Sequence, residues 1–254
     1  MTRNRSILAL VAVLAVAAGG YLAYDNVLRG DSVAPLALPS TAPNAGATST
    51  PSSPGSSDAA GTRPSTTTGT ADGAVAGTWT VAAGSEAGYR VRERLANLDA
   101  ESDAVGRTSD VTGGITVVEG AEGAQLTAGE IAIDTTTITS DEDRRDNRLR
   151  DEGLQTDQFP TATFTLTQPV DVPAAALAGT ATDVTLVGDL TLHGVTRSVE
   201  IPAQAQLANG QIQVAGSLTF PLADFEITAP NVGGFIISIA DEGALEFLVV
   251  FAKA

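Results

Sequence analysis

The sequence predicts an all-β domain over residues 78–254, either a sandwich or an up-and-down barrel. Three observations carry this reading. Apolar residues recur at every second position, short turn dipeptides separate the runs, and the span holds about eight or more such runs. The alternation opens with Tyr89, Val91 and Leu95, set between Arg90, Arg92 and Arg94. Ile131 and Ile133 alternate with Glu130, Ala132 and Asp134, and Phe164 and Leu166 sit among Thr163, Thr165 and Thr167. Leu186, Leu190 and Leu192 precede Val195, Val199 and Ile201. Ile212, Val214, Leu218 and Phe220 follow, then Ile237 and Ile239, then Leu245 and Phe247. Side chains point to opposite faces at successive strand positions, so each run presents one apolar and one polar face. Gly120–Gly123, His193-Gly194 and Asn209-Gly210 stand where hairpin turns belong.

One segment departs from period two. Ser140 to Arg150 reads as a short helix, with Ser140 as N-cap and three acids in the first turn. Asp141 and Arg145, and Asp146 and Arg150, have the i, i+4 spacing of helical ion pairs, and Gly153 is placed to end the helix.

Composition excludes several functions. Residues 1–77 hold Arg3, Arg5, Arg29 and Arg63 against Asp25, Asp31, Asp58 and Asp72, so the formal charge of −16 rests on residues 78–254. That acidity argues against a nucleic-acid partner, which needs a basic face. The chain has no cysteine, which removes disulfides, thiolate metal sites and a Cys nucleophile. One His and one Met leave little for a transition metal. His193, in a two-residue turn, reads as an exposed turn residue and not a ligand.

Arg3 and Arg5 precede an uncharged apolar run from Ile7 to Tyr24. Its length as a helix, about 27 Å, matches a hydrocarbon core, and the flanking charge predicts a signal anchor within residues 1–30 with the rest outside the cytoplasm. The competing reading is cleavage after Ala15-Val16-Ala17 and secretion; the apolar run continues past that point, which favours the anchor. Residues 31–77, rich in Ala, Pro, Ser, Thr and Gly, read as a disordered linker.

Several motifs then come into register. Arg145-Asp146-Asn147-Arg148-Leu149-Arg150 resembles the Arg-Asp-x-His-Leu-Arg helix of the YceI-like, polyisoprenoid-binding proteins. Phe159 to Phe164 resembles their Pro-x-x-x-Phe strand entry. Gly188 to Arg197 closely resembles their Gly-Asp-Leu-Thr-x-x-Gly-Val-Thr-Lys hairpin, and Asp224-Phe225-Glu226-Ile227 is similar to their Asp-Phe-Gly-Ile. The resemblance implies a lipocalin-like antiparallel β-barrel of about eight strands with a short helix in one connection. It further implies a long-chain isoprenoid, such as a polyprenyl chain or a quinone tail, held in the barrel outside the cytoplasm, with no catalytic step and no cofactor. The sequence departs from the pattern at Arg148, where the family has His, at Glu93, where the first strand in relatives runs to a His, and at Leu222, where Arg is usual.

Candidate ligand contacts follow. Tyr89, Val91, Phe164, Leu166, Leu190, Leu192, Phe220 and Phe225 are expected to line the lumen, against the alternative of an ordinary filled core. Glu93 shares a face with Tyr89 and Val91, so an inward carboxylate near a head group competes with a place at the solvated rim. Arg144, Arg145 and Arg148 could meet a head group, against the alternative of a salt-bridged surface helix. Arg90, Arg92 and Arg94 lie on the opposite face and read as solvated. Two other functions remain open on sequence: a ligand-free acidic surface domain that binds another envelope component, and a glycan hydrolase using two carboxylates.

Overall fold

The computed structural model describes residues 33–39, 75–95, 101–229 and 236–254. Eleven antiparallel strands form one sheet, in the order β1-β4-β5-β6-β8-β9-β10-β11-β2-β3, with β7 on β5. They are β1 (Gly77–Val81), β2 (Glu86–Leu95), β3 (Glu101–Thr108), β4 (Val111–Gly120), β5 (Gly123–Asp134), β6 (Thr161–Leu166), β7 (Val170–Pro173), β8 (Thr182–Leu192), β9 (Val195–Ala208), β10 (Gln211–Pro221) and β11 (Ile236–Lys253).

Pairing of β1 with both β4 and β11 closes eight of these strands into a barrel. The long β11 makes this possible. Phe251 to Lys253 pair with β1, while positions from Ile236 to Leu248 pair with β2. β1 and β2 thus act as one broken strand along the same edge. The break is held by Ser85, whose hydroxyl accepts from the Val250 amide at 3.0 Å and donates to the Ala82 carbonyl at 2.8 Å. Closure removes exposed strand edges, the main aggregation hazard of a β-sheet.

The expected turns form. His193-Gly194 and Asn209-Gly210 link β8 to β9 and β9 to β10, and both residues of each pair have positive φ, as a tight hairpin turn requires. Helix α1 (Asp143–Arg148) lies in the long β5–β6 connection and runs on into one wide turn over Leu149–Gly153. Its capping differs from the sequence expectation. The helix begins after Glu142, not Ser140, and Ser140 instead donates its amide and hydroxyl to the buried Asp146 carboxylate at 3.0 and 2.6 Å. With Asp146 turned inward, Arg150 takes Asn147 and the Ile138 carbonyl instead of the expected i, i+4 partner. The Asp141–Arg145 pair does form. Helix α2 (Ala174–Leu177) lies at the opposite end of the barrel from α1, against β5, β7 and β9.

The linker expected over residues 31–77 differs at both described ends. Val75 is 2% exposed, part of the core, and its carbonyl accepts from the Trp79 indole at 2.8 Å. Val33–Pro39 lies on the outer wall. The apolar run Ile7–Tyr24 falls outside the described residues, and among the described residues no helix is long and apolar enough to cross a membrane.

Candidate functional site

The apolar strand faces do not fill the barrel. An upper cavity of about 120 Å³ lies at the α1 end, and a second of about 90 Å³ lies below it. They meet at Ile133, Ala162 and Leu245, which line both. A third, of about 40 Å³, continues toward α2 and shares Ile115, Leu126, Leu186 and Val214 with the second. The second and third, with no charged group in their walls, are of the kind that stays dry and accepts apolar guests. The three lie in series along the barrel axis, which suits a linear chain better than a compact ring system.

The strand alternation explains the lining. Tyr89, Val91 and Glu93 turn inward from β2 and line the upper cavity, with Leu192 and Phe220. Phe164, Leu166 and Leu190 line the second. Phe225 differs from expectation. It lines none of these cavities, is 1% exposed, and packs edge-on against Phe220 at 5.0 Å between ring centres. Its place is in a 3₁₀ turn, Leu222–Phe225, where strand alternation has ended, and Leu222 takes the position facing the cavity. Ile239, from the strand alternation, and Ile227, from the Asp-Phe motif, complete this end of the lining with Ala229 and Gly243, which no sequence pattern singled out.

Among the described residues, charged groups line only the upper of the three cavities. Glu93 is 3% exposed, so it does not sit at a solvated rim, and Arg145 of α1 reaches down to it, with N···O distances of 3.3 and 3.4 Å. Arg145 also pairs with Asp141. Burial pulls the Arg145 guanidinium down, but Glu93 and Asp141 outweigh it and hold the group above its ordinary range. Arg148 lines the same cavity, whereas Arg144 is exposed and faces away from it. Arg90, expected to be solvated, is instead tied to Glu246 at 2.6 Å and Asp103 at 3.1 Å on the outer wall; Arg92 and Arg94 are exposed.

Tyr89 supplies a lumen donor left open among the described residues. Its hydroxyl is buried and has no hydrogen-bond partner among the described residues. Burial pushes its pKa up to about 12, with Arg145 and the nearby Ser140 hydroxyl opposing and Asp146 and Glu93 adding to the rise; Ser140 lies close enough to influence the phenol but makes no hydrogen bond of normal geometry to it. The ring is accommodated because its cross-strand neighbour is Gly106; a Cβ there would fall 2.3 Å from the ring. His193 is not the exposed turn residue expected. It is half-buried against Phe159, with ring centres 4.8 Å apart, and its Nδ1 donates to the Phe225 carbonyl at 3.1 Å. That bond fastens the Asp-Phe turn to the β8–β9 hairpin, a structural task outside the lumen.

Comparison with known proteins agrees with this architecture. A polyisoprenoid binding domain from Saccharophagus degradans, implicated in plant cell wall breakdown, superposes with a TM-score of 0.54 at 22% identity, over 70% of this chain and 98% of that one. At that identity the likeness shows the fold. A UPF0312 protein of Vibrio vulnificus is 31% identical over 113 residues, 42% of this chain and 56% of its own length. One from Shewanella denitrificans is 34% identical over 106 residues, 39% of this chain and 51% of its own. The chain thus spans about half the length of these curated relatives. The model of the YceI-like domain matches residues 79–251, from the buried Trp79 of β1 to Phe251 near the end of β11, and the chain belongs to that family.

Proposed function

We propose that the barrel binds a long-chain isoprenoid or similar lipid, tail inward along the axis, outside the cytoplasm and without covalent chemistry. The observation that carries the reading is the series of apolar cavities joined at Ile133, Ala162 and Leu245. Each buried CH₂ is worth about 0.8 kcal/mol, so a five-carbon unit contributes about 3–4 kcal/mol gross. Two or three such units, roughly 6–12 kcal/mol, offset the cost of association and ordering and leave micromolar or tighter binding. Entry is at the α1 end, where Leu222, Ala229 and Arg148 border the upper cavity.

The head group lies beside Tyr89, Glu93 and Arg145. Arg145 is already matched by Glu93 and Asp141, and a further carboxylate in the lumen repels an anion. The open donor is the Tyr89 hydroxyl. These favour a neutral oxygen acceptor, the hydroxyl of a prenyl alcohol or the carbonyl of a quinone, over a diphosphate. The relative from Saccharophagus degradans is described as polyisoprenoid binding, which supports the same tail chemistry.

The hydrolase alternative finds less support. The buried acids Glu93, Glu246 and Asp146 are held by Arg145, by Arg90 with Arg107, and by Ser140, respectively. A glycosidase needs two carboxyls facing each other across a cleft. Native mass spectrometry of protein purified from its own host tests the lipid reading. A co-purifying isoprenoid mass, displaced by added prenyl alcohol or quinone, is the expected result; bare protein that takes up neither overturns it.

A further inference from the structure

Outward-facing positions of a barrel are normally solvated, yet a strip of this wall is covered. Glu246, Gln206 and Gln213 alternate with lumen-facing neighbours, so they point outward, and their exposures are only 4%, 3% and 8%. Val33–Pro39 lies across them. The Val33 carbonyl accepts from Arg90 at 2.7 Å, the Ala34 carbonyl accepts from Arg107, and the Pro39 carbonyl accepts from Gln206 at 3.4 Å. Leu36 and Leu38 are half-buried while Pro35, Ala37 and Pro39 between them are exposed. Pro35 and Pro39 have no N–H, so this segment cannot join the sheet as a strand. The wall supplies side-chain donors to match its carbonyls.

The segment also has a direction. Val33 is held at the level of Arg90 and Glu246, and Pro39 at the level of Gln206 and Gln213. In the β10–β11 register Gln213 pairs with Val250, four residues beyond Glu246. The segment therefore descends about 13 Å along the wall, away from the α1 end. Past it, the chain re-enters the fold at Val75, which lines the lowest cavity with Leu207 and Ile212. Pro39 and Val75 thus lie toward the same end of the barrel.

We propose that Val33–Pro39 is a docking strap that orients the barrel, with its lipid entry toward the membrane. This rests on the anchor and lipid readings above. With the strap seated, residues 40–74 contribute nothing to the reach between anchor and domain. Only the eight residues 25 to 32 separate Tyr24 from the strap, and fully extended they span at most about 29 Å. The strap's N-terminal end lies on the α1 side, so the short tether pulls that end toward the bilayer.

The chain has no cysteine, which allows single dye sites in the full-length protein. One dye goes at Thr228→Cys, exposed beside the entry, and one at Asn209→Cys, exposed on the β9–β10 hairpin. The protein is reconstituted into phosphatidylcholine vesicles carrying a headgroup acceptor dye. The two sites are separated by about 30 Å along β10, within the range of energy transfer. Stronger transfer from residue 228 than from 209 is expected. Replacing residues 34–39 with a Gly/Ser stretch of equal length should abolish the difference, as should the milder Leu36→Asp with Leu38→Asp, with Trp79 fluorescence reporting that the barrel is intact. Equal transfer from both sites in the unaltered, vesicle-bound chain overturns the strap's role and leaves the anchor standing. A chain that fails to float with the vesicles overturns the anchor and the orientation together.

Discussion

Ala162→Phe places a ring at the junction of the two larger cavities. Ala162 is 2% exposed and lines both, on the same strand face as Phe164. In a solid core such a change forces strain of about 1–3 kcal/mol or more. Here the ring has somewhere to go. At about 24 cal/mol per Å³, filling the second cavity of about 90 Å³ is worth about 2 kcal/mol. The two effects nearly cancel, and urea unfolding should show a stability within about 1 kcal/mol of the parent. Binding should respond differently. A tail stopped at Ala162 loses at least one five-carbon unit of burial, about 3–4 kcal/mol gross, which corresponds to a loss of roughly 100-fold in affinity or more. A long fluorescent prenyl alcohol should lose that much, while a short one that fills only the upper cavity should lose little. A stability drop beyond about 3 kcal/mol refutes the reasoning about the void. So does an equal loss for both probes, because it denies that the tail passes the junction.

Other consequences can be measured separately. Arg145→Leu leaves Glu93 buried without its counter-charge and should cost about 3–5 kcal/mol in urea unfolding, and adding Glu93→Gln should recover most of it; if the double variant is as unstable as the single, the pair is not the cause. Tyr89 gains a proton affinity on folding, its pKa rising from 10.0 to about 12. Stability from this group is therefore complete below pH 10.0 and is lost as pH rises through about 12. Ultraviolet titration of phenolate should show a component with its midpoint at about 12 that is absent in Tyr89→Phe. Gly106→Ala puts a methyl 2.3 Å from the Tyr89 ring and should destabilise by about 2 kcal/mol or more while weakening lipid uptake; a fully stable variant with unchanged uptake would show that the ring has other room.

How much of this could be read from residues depended on the range of the interaction. The strand faces carrying Tyr89, Val91, Phe164, Leu190 and Phe220 were legible because a period of two is a local property of the chain. The same holds for the hairpins at His193-Gly194 and Asn209-Gly210. Phe225 was misplaced because its 3₁₀ turn has no strand face to extrapolate. Ile133, Ala162 and Leu245 could not be recognised as the junction, because they come from three strands whose meeting is set by register over long sequence distances. The Ser140 cap was misjudged for a related reason: Asp146 competes for the same donors once the helix packs. The strap had a faint signal. Leu36 and Leu38 are the only leucines in residues 31–77, each followed or preceded by proline, but nothing local says which wall they cover.

The most direct test is a crystal structure of protein purified from its own host, inspected along the barrel axis. Elongated density running from Tyr89 past Ala162 toward Phe164, with an oxygen within hydrogen-bond distance of the Tyr89 hydroxyl, is the expected result. Side chains closed over Ile133, Ala162 and Leu245, with no density between them and no void, would contradict a lipid-holding lumen.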